Sequence, residues 1–382
     1  MDKVQETYLE LLKAAIWGGE LTSEGVKEKI VRDESRKELT NERVNEIIRL
    51  AAFQGTGPLV FDQLLKLKDI EIPDALRMQM KQQCVQTMML QQSMMPLLSK
   101  AWSALMDAHI YPVLLKGFAL AQLYPQPHLR QWGDIDLYVG QKQFNEACNV
   151  LRATFPTASY QEAPKEDCKH YNFDFPNTAI ETHRVSMTFA HPKDRKYYEQ
   201  LEEKYLTIDG PKIDLDGVTV TIPEDTFNVF FTFLHAWHHF EGTGMNMKQV
   251  CDIAVLLHAK RETIDRARLQ AMLTKLHLME AWQLIMYIIV QHLGLSKDEA
   301  PFYTEGCMER AEVLFERVLK EGQARRMERI DAEGLSYLRR KWLTFQSRTA
   351  DSKLIKPYAP KYARHMQISA IYHATERILK GK

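Results

Sequence analysis

The chain has no pair of cysteines in a Cys-x-x-Cys arrangement. Its five cysteines, Cys84, Cys148, Cys168, Cys251 and Cys307, are odd in number and widely scattered. Neither a disulfide framework nor a zinc knuckle is indicated, and reduced thiols in a cytosol fit best. Net charge is absent too, because 50 Lys and Arg cancel 50 Asp and Glu. No global field for nucleic acid or membrane is expected, although local patches can exist. No run of about 18 apolar residues occurs, so no membrane-spanning helix is expected. The opening MDKVQETYLELLK is polar and amphipathic and lacks the apolar core of a secretory signal. These absences point to a cytoplasmic globular protein. The length of 382 residues allows two or three domains.

Three stretches of different pattern follow one another. Residues 1–108 read as helices. VQETYLELLKAAIWG has helical apolar spacing, and Thr40 is placed to cap NERVNEIIRLAAF. After Pro73 a long methionine- and glutamine-rich segment stays helical to about His109, with Pro96 expected to start, kink or divide it. Its methionines suit adaptable core filling. Residues 109–222 change to mixed α/β: short strands at Tyr111 to Leu115 and Ile135 to Val139, an amphipathic helix in QKQFNEACNVLRATF, then strands in HYNFDF, TAIETHRVSM and VTVTIP. Residues 223–382 return to helix from a Pro-Glu-Asp opening. Residues 321–382 carry 14 Lys and Arg against 6 Asp and Glu, a locally cationic tail whose default role is a solvated helix face. The expected class is α+β: a small mixed-sheet core flanked by N-terminal and C-terminal helical regions.

The chemistry concentrates in LLKGFALAQLYPQPHLRQWGDIDLYV, residues 114–139. On a strand, residues i and i+2 face the same side, so Asp134 and Asp136 converge. Two like charges that close repel unless something positive lies between them. A divalent cation is the natural solution, and hard oxygen ligands select Mg2+ or Mn2+. In TAIETHRV, alternation puts Glu181 and His183 on one face, so Glu181 is the candidate third carboxylate from a neighbouring strand. Three such acids can hold two metals that clamp an in-line displacement at phosphorus. Lys116-Gly117, between a strand and a helix, lets backbone N–H groups approach phosphate oxygens. Arg130 and Gly133 lie on the loop leading to the aspartates, where a guanidinium can grip phosphate. Trp132 on the same loop can stack on a base but more naturally packs the loop.

In this order the elements resemble the nucleotidyltransferase superfamily related to DNA polymerase beta. More closely, residues 114–139 resemble the family described as uncharacterised nucleotidyltransferase. Its marks are a Leu-Lys-Gly run, a Tyr-Pro, an Arg and Gly-Asp-Ile-Asp-Leu. IETHRVSM resembles its acidic-x-His stretch, and HAWHHF and VCDIAVLL resemble its downstream helices, with His235, His239 and Asp252 at matching places. The resemblance covers roughly residues 105 to 260. Two departures stand out: Phe118 follows Gly117 where the superfamily usually has Gly or Ser, and the third carboxylate is Glu181 rather than Asp.

The resemblance implies transfer of an NMP from an NTP to a hydroxyl, with pyrophosphate leaving. Asp134, Asp136 and Glu181 would be the catalytic and metal-binding set. Lys116, Gly117, Arg130, Gly133, His183, His235 and His239 would contact the nucleotide. A sugar, an antibiotic, an RNA end or a protein hydroxyl all suit such a nucleophile, so the acceptor stays open, as does the oligomeric state. Two alternatives remain at this level. One is a non-catalytic nucleotide- or partner-binding module on the same fold. The other is a metal phosphohydrolase in which His235, His239 and Asp252 form the cage.

Overall fold

The computed structural model describes residues 1–19, 41–67, 72–160, 168–323 and 351–379. Thr40 and about half of the cationic C-terminal stretch, residues 324–350 and 380–382, lie outside the described residues. The architecture is α+β, a small mixed sheet among many helices.

The sheet has four strands: β1 (Val113–Leu115), β2 (Asp134–Tyr138), β3 (His170–Phe175) and β4 (Thr178–His183). Their spatial order is β1-β2-β4-β3. β1 runs antiparallel to β2, β2 parallel to β4, and β3 antiparallel to β4. The β2–β4 register sets Asp134 against Ala179, Asp136 against Glu181 and Tyr138 against His183. Strand alternation therefore gives the sheet two unlike faces. Ile135, Leu137, Phe173 and Ile180 point into a core completed by the Gly140–Thr154 helix and the end of the Asp74–Asp107 helix. Asp134, Asp136, Glu181 and His183 occupy the opposite face.

VTVTIP pairs outside this sheet. β6 (Val218–Thr221) joins β5 (Lys212–Leu215) in a separate antiparallel hairpin. Asp216 and Gly217 at its turn both have positive φ, 50° and 86°, which suits a two-residue hairpin loop.

A second, larger core unites helices from both ends of the chain. Lys3–Trp17, Asn41–Phe53 and Gly57–Lys66 contribute to it with Asp225–Gly242, Met247–Lys260, Met279–Leu293 and Met308–Glu321. The Asp225–Gly242 helix, rich in Phe, is buried around most of its circumference, as a helix at the centre of a core must be. Two side-chain caps fix the entries of these central helices. Glu224 accepts from the Phe227 N–H, and Asn246 forms a reciprocal capping box with Gln249.

The Asp74–Asp107 helix runs unbroken through Pro96 for 34 residues. The proline removes one N–H donor but does not divide the helix. Met80 and Met94 fill core, whereas Met78, Met88 and Met89 are exposed, so core filling accounts for only part of the methionine content. No helix among the described residues is long and apolar enough to cross a membrane.

Candidate active site

The acid-bearing face of the sheet looks toward the Asp225–Gly242 and Met247–Lys260 helices, and polar side chains gather between them. Asp136 is the centre. It is buried, and its Oδ1 takes both Lys116 Nζ at 3.0 Å and His183 Nε2 at 2.9 Å. Burial alone would raise its pKa. Lys116 and His183 overcome that and hold it well below the usual carboxylate range.

Asp134, two residues earlier, is in the opposite condition. Its side chain reaches solvent at the mouth of the site. No hydrogen bond or ion pair to its carboxylate is found among the described residues. Crowding by protein atoms, then repulsion from Glu181 and Asp136, pushes its pKa up to about 6. Glu181 lies directly across from Asp136 in the strand register, and its Oε2 is 3.4 Å from His183 Nε2. Desolvation works against its charge, but the His183 contact prevails and its pKa is lowered.

A testable consequence concerns Asp134. Its folded-state pKa lies above the unfolded value, so its ionised form weakens the fold. The penalty grows as pH rises from the ordinary carboxylate range to about 6 and is constant above. Asp134→Asn is therefore expected to raise the melting temperature of metal-free protein at pH 7.5, with little difference from wild type at pH 4. An unchanged or lowered melting temperature at pH 7.5 would contradict the crowding.

Lys116 owes its position to an unusual backbone. It has φ 51° and ψ −138°, and Gly117 follows with φ 38°. A lysine with positive φ carries strain of roughly 1–3 kcal/mol, which persists only where surrounding contacts enforce it. Those contacts are present: Lys116 Nζ bonds Asp136 and donates to His235 Nε2 at 3.1 Å. His235 Nε2 is in turn 3.2 Å from His239 Nε2, and His239 Nδ1 meets the Thr243 hydroxyl at 3.1 Å. Lys116 can only donate, so the single lone pair of His235 Nε2 is its acceptor, and both rings are neutral. Burial, then the Lys116 charge, lowers both pKa values, that of His239 to about 4.

Arg130 points inward rather than toward the mouth. Its Nε and Nη2 bind Asp252 Oδ1 and Oδ2 at 2.7 and 2.6 Å, and Nη1 donates to the Gly117 carbonyl at 3.3 Å. The Tyr124 hydroxyl donates to the same Asp252 at 2.7 Å. The guanidinium expected at a phosphate thus clamps the Lys116–Gly117 turn to the Met247–Lys260 helix. Asp252 is fully occupied by this task, and His238 is exposed on the far side of its helix. The His235–His239–Asp252 set is therefore not brought together as a cage. The described residues place one group of three metal-type ligands within reach of one another, and it is His170, Glu181 and His183.

Three side chains that the sequence did not single out complete the site. Lys169 and Lys248 are half-buried lysines whose ammonium groups have no ion pair among the described residues. Burial, then repulsion from Lys116 for one and from Arg130 for the other, brings each pKa down to about 8. His170 lies across from His183 on β3. Nothing in local sequence marks these residues, since a lysine at a strand entry or a first helical turn is common. Beside Gly133 and Lys248 opens a cavity of about 470 Å³, walled also by Phe53, Trp132, Asn246 and Gln323. Trp132 packs edge-on against Phe118, with ring centroids 4.9 Å apart, and its indole N–H has no partner among the described residues.

The acids are of the kind a hard divalent cation takes, although among the described residues the three carboxylates are not gathered within 4.8 Å of one another as His170, Glu181 and His183 are. Two aspartates and a glutamate share one face, both contacts to Asp136 fall on a single oxygen, and Asp134 carries repulsion that a cation would relieve.

A family model described as uncharacterised nucleotidyltransferase matches residues 40–294, well over half of the chain and wider on both sides than the motif-bearing segment. No curated protein and no solved structure matches the chain.

Proposed function

The chain belongs to the uncharacterised nucleotidyltransferase family, and from that premise we propose that it transfers a nucleoside monophosphate from an NTP to a hydroxyl acceptor, releasing pyrophosphate. The observation that carries this reading is an acid, Asp134, whose pKa stays raised despite the nearby Lys116 and Lys248 charges, in a site with two half-buried lysines, Lys169 and Lys248, that have no ion pair among the described residues. Such a set is complementary to a metal-bound polyphosphate.

In this reading Asp134, Asp136 and Glu181 hold Mg2+ or Mn2+. Bound there, the ion supplies charge neutralisation to phosphate oxygens and lowers the acceptor hydroxyl's pKa. Lys116 keeps Asp136 ionised and oriented. Lys169 and Lys248 take the outer phosphates, and the Gly117 turn offers backbone N–H groups. We place the nucleoside in the cavity beside Gly133, whose size suits a small ligand. There Phe53 and Trp132 offer aromatic faces, and Asn246 and Gln323 offer amide hydrogen bonds. The acceptor oxygen bonds to the α-phosphorus as the bond to the bridging α–β oxygen breaks. The acceptor's proton passes to Glu181, whose lowered pKa keeps it ionised beforehand. His235 and His239, held neutral, support Lys116 rather than compete with it for phosphate.

The test is thermal melting of the full chain with each NTP, with and without Mg2+. At least one NTP is expected to raise the melting temperature by several degrees only when the metal is present, as ligand at about 100 times its Kd stabilises by about 2.7 kcal/mol. A flat response to every NTP with metal would overturn the proposal. Labelled NTPs with cell extract, followed by mass spectrometry, then identify the acceptor.

A further inference from the structure

The face beyond Glu181 differs from the aspartate pair in its donor chemistry. His170 on β3 stands opposite His183 on β4, and Glu181 precedes His183 by two residues on the same face. One nitrogen from each ring and one Glu181 oxygen all lie within 4.8 Å of one another. The rings are tilted rather than stacked, with centroids 5.2 Å apart at 59°.

Three buried polar atoms here have no hydrogen-bond partner among the described residues: His170 Nδ1, His183 Nδ1 and Asn172 Oδ1. Asn172 pairs with Glu181 in the β3–β4 register. Orphaned buried polar atoms are costly and rare, and three at one place call for an explanation. His183 is buried to 2 % exposure, and its Nε2 lies between two carboxylate oxygens, toward which it can act only as a donor. In the neutral ring that donates from Nε2, Nδ1 keeps a lone pair. A ring that donates one N–H to a carboxylate while its other nitrogen is bare has the arrangement of a metal-ligating histidine oriented by an acid.

We propose that His170, Glu181 and His183 form a binding site for a divalent ion that accepts nitrogen ligands, with Zn2+ the reference case. Two imidazoles and one carboxylate are the donor set of open, three-ligand zinc sites, and imidazole disfavours Mg2+. The hard oxygen pair Asp134 and Asp136 keeps the opposite preference. Glu181 has two oxygens and can serve both places. The ligands sit on paired strands, which fixes their spacing more tightly than loops would. This site does not depend on the transferase reading.

The experiment uses the untagged full chain, stripped with chelator, reloaded with Zn2+ in excess Mg2+, desalted and assayed for metal. Wild type and Asp134→Asn are expected to retain one zinc per chain. His170→Ala is expected to bind at least tenfold more weakly, and His170→Gln, which keeps the size of the side chain, likewise. Melting curves establish that each variant is folded. Co2+ in place of Zn2+ is expected to give d–d absorption without a thiolate charge-transfer band. Absence of retained zinc in wild type, unchanged retention in both His170 variants, or a thiolate band would each overturn the site. NTP melting shifts on the same zinc-free sample keep the two proposals apart: zinc binding without an NTP response removes only the transferase reading, and the reverse removes only this site.

Discussion

Asp252→Ala is expected to destabilise the protein by about 3–5 kcal/mol, the range for removing one partner of a buried ion pair, and to lower the melting temperature on the order of 10 °C. Arg130 and Asp252 are both buried, at 3 % and 4 % exposure, and meet through two short bonds. Burial opposes the Arg130 charge, yet the Asp252 carboxylate more than compensates and holds the guanidinium firmly ionised. Without Asp252 that charge stays in the interior with no carboxylate to meet it among the described residues, leaving the Gly117 carbonyl, the Tyr124 hydroxyl and the Trp132 ring, and Tyr124 loses its carboxylate acceptor. The same change should loosen the Lys116–Gly117 turn. A double substitution separates the two effects. Arg130→Met with Asp252→Leu removes both charges and is expected to melt close to wild type, because apolar replacement of a buried pair is often neutral or stabilising. It should still lose most of the NTP response, because nothing then ties the Gly117 carbonyl. A single variant Asp252→Ala that melts within about 1 kcal/mol of wild type would show that the pair is no clamp.

The clamp also marks the limit of what the sequence discloses. Alternation in DIDLY and TAIETHRV was enough to place Asp134, Asp136, Glu181 and His183 on matching faces, because a strand's period is fixed by backbone geometry. The mixed sheet followed from the short apolar runs, with ends displaced by one to four residues, the largest where β4 stops at His183 although TAIETHRVSM reads as extended to Met187. The Pro192–Tyr205 helix escaped notice, since its polar sequence PKDRKYYEQLEEKY shows only a faint apolar stripe. β5 escaped although Asp216-Gly217 is a recognisable hairpin turn. Arg130 is the instructive case. Its position before Gly-Asp-Ile-Asp suggested a phosphate ligand, but its partner is Asp252, 122 residues away. A pairing at that distance is set by how the helices pack over the sheet, and no local pattern carries it. Lys169 and His170, at the entry of β3, converge with Lys248 from the Met247–Lys260 helix for the same reason.

Asp136→Asn is expected to reduce NMP transfer by at least about 10²–10³-fold, the scale for losing one charge-organising group in a site, measured as labelled nucleotide incorporation once an acceptor is in hand. Its effect on stability should oppose that of Asp134→Asn. Asp136 has a folded-state pKa below the unfolded value, so its charge contributes stability above the ordinary carboxylate range, which is lost as pH falls through the depressed pKa. Asn at this position leaves Lys116 and His183 facing a neutral amide, so the variant should melt below wild type at pH 7.5 and approach it in strong acid. Two aspartates separated by one residue would then respond to the same substitution with opposite signs. The cause is the neighbours each one keeps: Asp136 holds Lys116 and His183 in direct contact, while for Asp134 crowding and the charges of Glu181 and Asp136 outweigh the weaker pull of Lys116 and Lys248. Environments that push two like groups apart in proton affinity are the mark of a site with divided roles. If both Asn variants shift the melting temperature in the same direction at pH 7.5, the pair does not have the asymmetry described here, and the assignment of Asp134 as the residue that awaits a cation fails with it.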